Sequence, residues 1–155
     1  MHDDVPPPTG VPTLVHGDPK PANMLWRDGE LVSLLDWEMS FNGDPAWDLG
    51  YMLIFLPGDL HPQIPGNCDL CGMWGGDQLI AAWEAGTGRS VAHCLWFEAA
   101  SHAKVASLIA YGYHLVASGK SSDERLRAWG PYVKHLVELA GTMCRALAST
   151  LSARG

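Results

Sequence analysis

The sequence predicts an α+β fold that is mostly helical, in which a short β-hairpin precedes a helical bundle. Two apolar runs at 24–26 and 31–35 flank Arg27-Asp28-Gly29-Glu30, and Asp-Gly between apolar runs is a strong hairpin signal. After the hairpin, apolar residues recur at helical spacing, with no internal repeat. With 155 residues, 47% of them hydrophobic, the chain is long enough to form one globular domain.

The segment before the hairpin is short. Residues 1–13 are rich in proline and polar residues, which predicts a linker. Thr13 to His16 is a brief apolar run that leads into a loop. The hairpin follows this loop, so Asn23 is expected where the hairpin begins and Asp36 where it ends.

Helix signals dominate the remainder. Asp44 is expected to cap a helix that has Pro45 at its first position and runs to about Leu56. Residues 57–76 are rich in glycine and proline and predict an irregular loop. Further helices are predicted at about 77–85, at 91–117 and from about 121 onward, with Gly130-Pro131 interrupting the last one.

Composition and charge exclude several classes of function. A formal net charge of -7 argues against nucleic acid or an anionic membrane as the main partner. No run of 18 apolar residues is present, so no transmembrane helix is expected. The acidic, proline-rich start does not resemble a signal peptide, and four cysteines without an export signal indicate reduced thiols in the cytoplasm.

The residues with the clearest chemistry lie in HGDPKPAN, His16 to Asn23, and in the Leu-Asp-Trp-Glu stretch around Asp36. Protein kinases use H-R-D-x-x-x-x-N, in which the Asp orients the substrate hydroxyl and the Asn binds magnesium. Asp18 and Asn23 have that spacing here, and Asp36 follows an apolar strand as the metal-binding Asp of D-F-G does in kinases. The pattern therefore indicates a site for nucleotide phosphates and a metal ion.

The stretch from 14 to 50 resembles the aminoglycoside phosphotransferase family, small-molecule kinases that share the protein-kinase fold. That family carries H-G-D-x-x-x-x-N, a hairpin, a strand ending in an Asp-Trp-Glu-like motif, and G-D-P-x-x-D-[LI]. The matching segments are Leu14–Asp18, Asn23–Leu25, Leu35–Glu38 and Gly43–Gly50. The Asp-Trp-Glu form and the later Gly86–Arg89 are most similar to the subgroup related to the kinase half of the acyl-CoA dehydrogenase 10/11 proteins.

The resemblance implies the C-terminal lobe of a protein-kinase-like fold. In that interpretation 1–13 is the remnant of an interlobe linker and 14–155 is the lobe. Its catalytic loop and metal site occupy 14–50, and 51–151 forms the helical substrate-binding part. The implied reaction is transfer of the γ-phosphate of ATP, with Mg²⁺, to a hydroxyl group of a small molecule in the cytoplasm. The subgroup suggests a hydroxyacyl-CoA or a related alcohol; an aminoglycoside is the other candidate.

The roles of individual residues also come from the resemblance. Asp18 is expected to be the catalytic base or hydroxyl-orienting group, and Asn23 and Asp36 the metal ligands. Their oxygens are hard donors that suit Mg²⁺. Lys20 lies two residues after Asp18, where it would contact the transferred phosphate or remain a solvated surface lysine.

Other polar residues of the motifs are expected to support the structure. His16 is expected to pack the loop in its bend, and Asp48 to accept hydrogen bonds from the backbone of the catalytic loop. Asp44 is expected to be a helix cap. Glu38 would either assist a second metal ion or simply lie beside the site.

The chain lacks the signatures of a kinase N-terminal lobe. Its 155 residues contain no G-x-G-x-x-G and no G-x-x-x-x-G-K-[ST]. We therefore expect little activity from this chain alone, and either self-association or a partner chain that supplies the N-lobe. The apolar residues expected to contribute to such a contact are Val11, Leu14, Met24 and Trp26. The alternative is a non-catalytic binding or scaffold protein derived from such a lobe.

A second site is conceivable around Cys68-Asp69-Leu70-Cys71. A C-x-x-C pair with His61 nearby can begin a zinc site, although a structural site usually needs four ligands. Free thiols in a loop are the alternative interpretation. Cys94 and Cys144 fall in predicted helices, where we expect them to be small core residues.

Overall fold

A computed structural model describes residues 5–56 and 74–152. It divides into two compact units, Met1–Glu98 and Ala99–Gly155. The elements are β1 (Thr13–Val15), β2 (Met24–Arg27), β3 (Glu30–Leu34), β4 (Phe41–Gly43), α1 (Ala46–Leu53), α2 (Gly76–Thr87), α3 (Cys94–Ala117) and α4 (Glu124–Ser152). The predicted fold class, mostly helical α+β with a short hairpin, is confirmed. His61, Cys68 and Cys71 lie outside the described residues. None of the described helices is both long and apolar enough to span a bilayer.

The predicted hairpin consists of β2 and β3. The strands are antiparallel, with Met24 opposite Leu34 and Arg27 opposite Glu30. The turn is the Asp28-Gly29 pair, whose φ angles of 52° and 83° are both positive. Two-residue hairpin turns of this type need positive φ at both positions, which Asp and especially Gly adopt at low cost.

A second strand pair, β1 with β4, was not predicted. The two strands are antiparallel, with Thr13 opposite Gly43 and Val15 opposite Phe41. Val15 is completely buried in this pair. The pairing brings the catalytic loop that follows β1 close to the start of α1, which follows β4.

The core of the first unit forms around α1. Its buried members are Ala46, Leu49, Leu53, Leu56, Val91 and Phe97. A Cβ atom on Gly50 would lie 2.6 Å from the Phe97 backbone, so only glycine permits α1 to approach α3 this closely. The close packing fixes α1, which provides two of the polar side chains of the candidate site.

The Gly86–Arg89 motif ends α2 and holds the segment that precedes β1. Gly88 caps the helix in the left-handed conformation, at φ 67°. Arg89 Nη2 then donates a hydrogen bond to the Val11 carbonyl at 3.0 Å. Nearby, the backbone N–H and the hydroxyl of Thr9 donate to the two oxygens of Asp44, each at 2.6 Å. Asp44 Oδ1 also accepts the Ala46 N–H at 2.9 Å and so caps the first turn, although α1 begins one residue later than predicted, with Pro45 at the N-cap position.

In the second unit, α4 is one helix from residue 124 to 152, so the predicted interruption at Gly130-Pro131 is wrong. A proline inside a helix removes one hydrogen bond and costs about 3 kcal/mol. The apolar face of α4 continues on the C-terminal side of Pro131, with Leu136, Leu139, Ala140 and Met143 buried. We attribute the continuity to the burial of this face. Gly130 is required by packing, because a Cβ atom there would collide with the Tyr113 ring.

The two cysteines in the described helices differ. Cys94 is half-buried, as expected of a residue at the edge of the core, whereas Cys144 is exposed, so its predicted core position is wrong. Burial, together with the charges of Glu98 and Glu84, raises the pKa of the Cys94 thiol to about 12. Cys144 lies on the polar face of α4, which the helical period did not distinguish from the buried face.

Candidate active site

The loop from His16 to Asn23, the expected catalytic loop, is attached to α1 through the Asp48 carboxylate. Oδ2 accepts the backbone N–H of His16 and Oδ1 accepts that of Gly17, each at 2.8 Å. Hydrogen bonds to a charged acceptor are about twice as strong as neutral ones. The structure therefore places Asp48 in the supporting position that the sequence suggested.

His16 connects the two motifs. Its ring is 2% exposed and lies 4.5 Å, centroid to centroid, from the Trp37 ring. Nδ1 accepts the Asp18 N–H at 3.2 Å, and Nε2 donates to the Leu35 carbonyl at 2.8 Å. Because both nitrogens are engaged with the backbone, the ring holds the site together and has no nitrogen left for proton transfer.

Gly17, between His16 and Asp18, cannot carry a side chain here. Its φ is 84°, in the left-handed region, and a Cβ atom would collide with the Met39 carbonyl oxygen. The backbone of this loop therefore lies directly against the backbone of the turn that follows Asp36.

Asp18 is buried at the centre of this arrangement, with 5% of its surface exposed. Its Oδ2 accepts two hydrogen bonds, from Lys20 Nζ at 2.5 Å and from Asn23 Nδ2 at 2.9 Å. Asn23 Nδ2 also donates to the Asp18 carbonyl at 2.9 Å. The Asn23 amide therefore turns its nitrogen toward Asp18 and its oxygen away, which leaves that oxygen available to a cation.

The residue before Asp36 in the chain is tied to the loop that contains Asp18. The Leu35 N–H donates to the Asn23 carbonyl at 2.8 Å, while the Leu35 carbonyl accepts from His16. Asp36 itself has φ 69° and ψ 55°, a left-handed conformation that is costly for a residue other than glycine. Its side chain is exposed, and no hydrogen bond or ion pair joins its carboxylate to another described residue.

The donor set suits a hard divalent cation. One amide oxygen, from Asn23, and one carboxylate, from Asp36, match Mg²⁺, which retains several waters and binds substrate phosphates. Across residues 5–56 and 74–152, no cluster of three or more His, Cys, Asp or Glu side chains has the geometry of a metal cage.

Lys20 and Glu38 border the site. The Lys20 side chain is 34% exposed, and its ammonium group is paired with the Asp18 carboxylate. Glu38 lies in the 3₁₀ turn Trp37–Met39 and is exposed. Within the described part of the chain, no hydrogen bond attaches Glu38 to the site.

Tyr51 is the polar residue that the motifs did not reveal. It lies one helical turn after Asp48 on α1, is 6% exposed, and turns its hydroxyl toward the Asp18 carboxylate. The pKa of Tyr51 lies far above its ordinary value, mainly because the residue is buried and also because of the hydrogen bond and negative charge of Asp18. The i, i+3 spacing from Asp48 was the available signal, since residues three apart share a helix face.

Known proteins resemble this chain along most of its length. The model of the phosphotransferase enzyme family matches residues 1–89. Acyl-CoA dehydrogenase family member 11 of Gallus gallus is 25% identical over 148 residues, which is 89% of this chain and 19% of that protein. The chain thus spans about a fifth of this curated relative.

A solved structure from Ralstonia eutropha JMP134, described as an aminoglycoside phosphotransferase, superposes with a TM-score of 0.73 at 21% identity. The match covers 87% of this chain and 43% of that one, and it shows that the two share a fold. The predicted kinase-like fold and family are both confirmed by these similarities. Because the family model matches more than half of the chain, the chain belongs to the phosphotransferase enzyme family.

Proposed function

We propose that this chain carries the catalytic half of an ATP-dependent phosphotransferase that acts on a hydroxyl group of a small molecule. The main supporting observation is the arrangement of Asp18. Its carboxylate is buried, is held by Lys20 and Asn23, and lies beside the backbone that presents Asp36. Phosphoryl transfer depends mainly on positioning and on neutralising charge, and this arrangement is suited to both.

In the proposed reaction, Asp18 orients the substrate hydroxyl and accepts its proton. A bond forms between the hydroxyl oxygen and the γ-phosphorus, the bond from that phosphorus to the β–γ bridging oxygen breaks, and ADP leaves with the electron pair. A positioned carboxylate typically contributes a factor of about 10²–10⁴ to such a step. His16 and Asp48 hold the loop through its backbone and do not take part in the proton transfer.

Asn23 and Asp36 would hold Mg²⁺ through their free oxygens. The ion, when bound, supplies positive charge that neutralises the β- and γ-phosphates. Asn23 already donates to Asp18, so it would join the metal-binding and hydroxyl-orienting parts of the site. The Asp36 carboxylate is exposed to solvent, which supports a role in binding an entering nucleotide with its metal ion.

Lys20 would exchange partners during the reaction. In the structure its ammonium group donates to Asp18 Oδ2, which also accepts a hydrogen bond from Asn23. Because the side chain is partly exposed and flexible, it can turn to an incoming γ-phosphate and leave Oδ2 to the substrate hydroxyl. Lys20→Met is therefore expected to slow transfer more than it weakens binding of the alcohol.

The second side of the nucleotide site would come from outside these 155 residues. Neither glycine-rich phosphate loop occurs in the chain. Large apolar side chains are exposed in the first unit, among them Val11 at 77%, Leu14 at 66% and Trp26 at 59%. We propose that an N-lobe, or a second copy of the chain, covers them. A monodisperse monomer in light scattering over a wide concentration range would argue against self-association.

Two classes of alcohol are candidates for the substrate. The resemblance to the acyl-CoA dehydrogenase 10/11 subgroup suggests a hydroxyacyl thioester of coenzyme A or a related alcohol, and the description of the Ralstonia structure suggests an aminoglycoside. We place the reaction in the cytoplasm, where ATP and magnesium are available and thiols such as Cys94 and Cys144 remain reduced. The two substrate classes form separate arms of the assay below.

The experiment is a transfer assay with γ-labelled ATP, Mg²⁺ and each class of alcohol, on the chain alone and complemented with an N-lobe from a complete family member. We expect labelled product in the complemented reaction, little in the chain alone, and none with Asp18→Asn. The matched control is Asp28→Asn in the hairpin turn, which should retain full transfer. If no alcohol is labelled although the complemented protein binds MgATP, the chain is a binding module and the proposal fails.

A further inference from the structure

Tyr51 lies on the inner side of the Asp18 carboxylate and belongs to neither phosphotransferase motif. Tyr51 is almost completely buried. A buried tyrosine hydroxyl usually has a hydrogen-bond partner inside the protein. Its ring packs on Phe55 at a centroid distance of 5.4 Å and a tilt of 50°. These contacts fix the ring, and they leave the hydroxyl directed at Asp18.

The face of α1 that carries Tyr51 also carries Asp48. Asp48 holds the N–H groups of His16 and Gly17, so this face lies directly against the catalytic loop. One turn further along, a side chain on the same face reaches the next residue of the loop, which is Asp18. The backbone of the loop and its functional carboxylate are thus held by a single helix face.

The two oxygens of Asp18 have different surroundings. Oδ2 accepts from Lys20 and Asn23. Oδ1 is shielded from solvent and has no hydrogen bond of normal geometry from any described residue. The Tyr51 hydroxyl faces this carboxylate and interacts with it. Catalytic hydrogen bonds are often long in an unliganded enzyme and shorten when the reacting complex forms.

We propose that Tyr51 is a positioning residue whose hydroxyl donates to Asp18 from inside the domain and holds Oδ2 toward the substrate. The proposal rests on the phosphotransferase function given above. When Lys20 moves to the phosphate, Asp18 would otherwise lose one of the donors that fix its side-chain rotamer. Tyr51 and Asn23 then remain as donors to the carboxylate, while the substrate hydroxyl takes the position that Lys20 leaves.

The chemistry of the tyrosine fits this role. Burial and the adjacent carboxylate raise the pKa of Tyr51 far above its ordinary value, so the phenol remains a donor throughout the working pH range. A phenylalanine at this position would retain the ring contact with Phe55 and remove only the hydroxyl. The Tyr51→Phe substitution therefore isolates the hydroxyl.

The first test needs no activity and uses the chain as it is. With ¹³C at Cζ of its four tyrosines, each resonance reports the hydrogen bond of one hydroxyl, and Tyr→Phe variants assign them. Asp18→Asn should move the Tyr51 resonance and leave that of the exposed Tyr111 in place. The control Asp28→Asn should move neither. An unchanged Tyr51 resonance in Asp18→Asn would overturn the proposed contact.

The second test separates positioning from stability. In the complemented enzyme, Tyr51→Phe should lower kcat roughly tenfold and leave KM for ATP unchanged, as expected for loss of one hydrogen bond to a charged group. Tyr111→Phe should match the wild type. An unchanged kcat, or a loss explained entirely by a smaller folded fraction, would refute the positioning role. If the wild type transfers no phosphate, the proposed function fails and the resonance test alone decides the contact.

Discussion

Asp48→Asn is the substitution from which the structure predicts the clearest loss of stability. The carboxylate accepts two backbone hydrogen bonds, one on each oxygen, from His16 and Gly17. An asparagine retains one acceptor oxygen, but its amide nitrogen then faces the other backbone N–H, donor against donor. One charge-assisted bond is lost and one N–H is left without an acceptor in a partly buried place.

The cost follows from these two effects. A hydrogen bond to a charged group contributes about 1.5–3 kcal/mol, and an unsatisfied buried donor costs about 1–3 kcal/mol. Because Asp48 is only partly buried, we expect the lower part of the combined range, about 2.5–4 kcal/mol. The urea midpoint should fall by about 1–2 M, given the usual denaturant slopes for a domain of this size.

Tryptophan fluorescence is a suitable assay for this change. Of the seven tryptophans, Trp129 alone lies beyond residue 98, so the signal reports mainly on the first unit. Asp28→Asn is the matched control, since asparagine tolerates the left-handed turn position and is exposed there. Amide exchange at His16 and Gly17 should also accelerate in Asp48→Asn. A loss below about 0.5 kcal/mol, the size of an ordinary surface change, would refute the anchoring role.

Three further predictions concern the site and its surroundings. Asp18→Asn should lower kcat by roughly a hundredfold or more and leave MgATP binding nearly intact. Asp36→Ala should instead weaken MgATP binding, and added Mg²⁺ should partly restore it. Steady-state kinetics and nucleotide titration distinguish the two effects, and the reverse pattern would exchange the two roles. Burial alone would raise the pKa of Asp44, but hydrogen bonds from Thr9 and Ala46 hold that pKa below its ordinary value. The stability it contributes is therefore complete above about pH 4 and is lost as the pH falls further, so urea midpoints of Asp44→Asn should show a shallower acid limb. Burial raises the pKa of Cys94 to about 12, so maleimide should label the exposed Cys144 first and Cys94 only on unfolding. Mass spectrometry of peptides measures both labelling rates, and equal rates would contradict this prediction.

Elements with local signals were predictable from the sequence. The Asp28-Gly29 turn was evident because its residue types are those that a two-residue hairpin requires. The start of α1 was equally clear, since Asp44-Pro45 combines a cap with a proline in the first turn. In both cases a few adjacent residues determine the backbone, so no distant contact had to be known.

Features that depend on distant contacts were not predictable. The pairing of β1 with β4 joins two runs of three residues, which are too short to show a period. The left-handed backbone of Asp36 depends on how His16 and Asn23 hold Leu35, from well upstream in the sequence. The continuity of α4 through Pro131 depends on burial beyond that residue, which outweighs a strong local breaker.

The glycine of the His-Gly-Asp triplet has a consequence for comparing this chain with protein kinases. In those enzymes an arginine occupies the middle of the triplet. Here the Gly17 backbone touches the Met39 carbonyl, so a side chain would force the turn after Asp36 outward. The triplet and the turn must therefore change together: an arginine can be accepted only by a chain whose second motif follows a different path. Grafting H-R-D into this loop should displace the turn that carries the Asp36 carboxylate before it moves Asp18. A motif search that accepts any residue at the middle position would therefore group chains whose second motifs follow different paths.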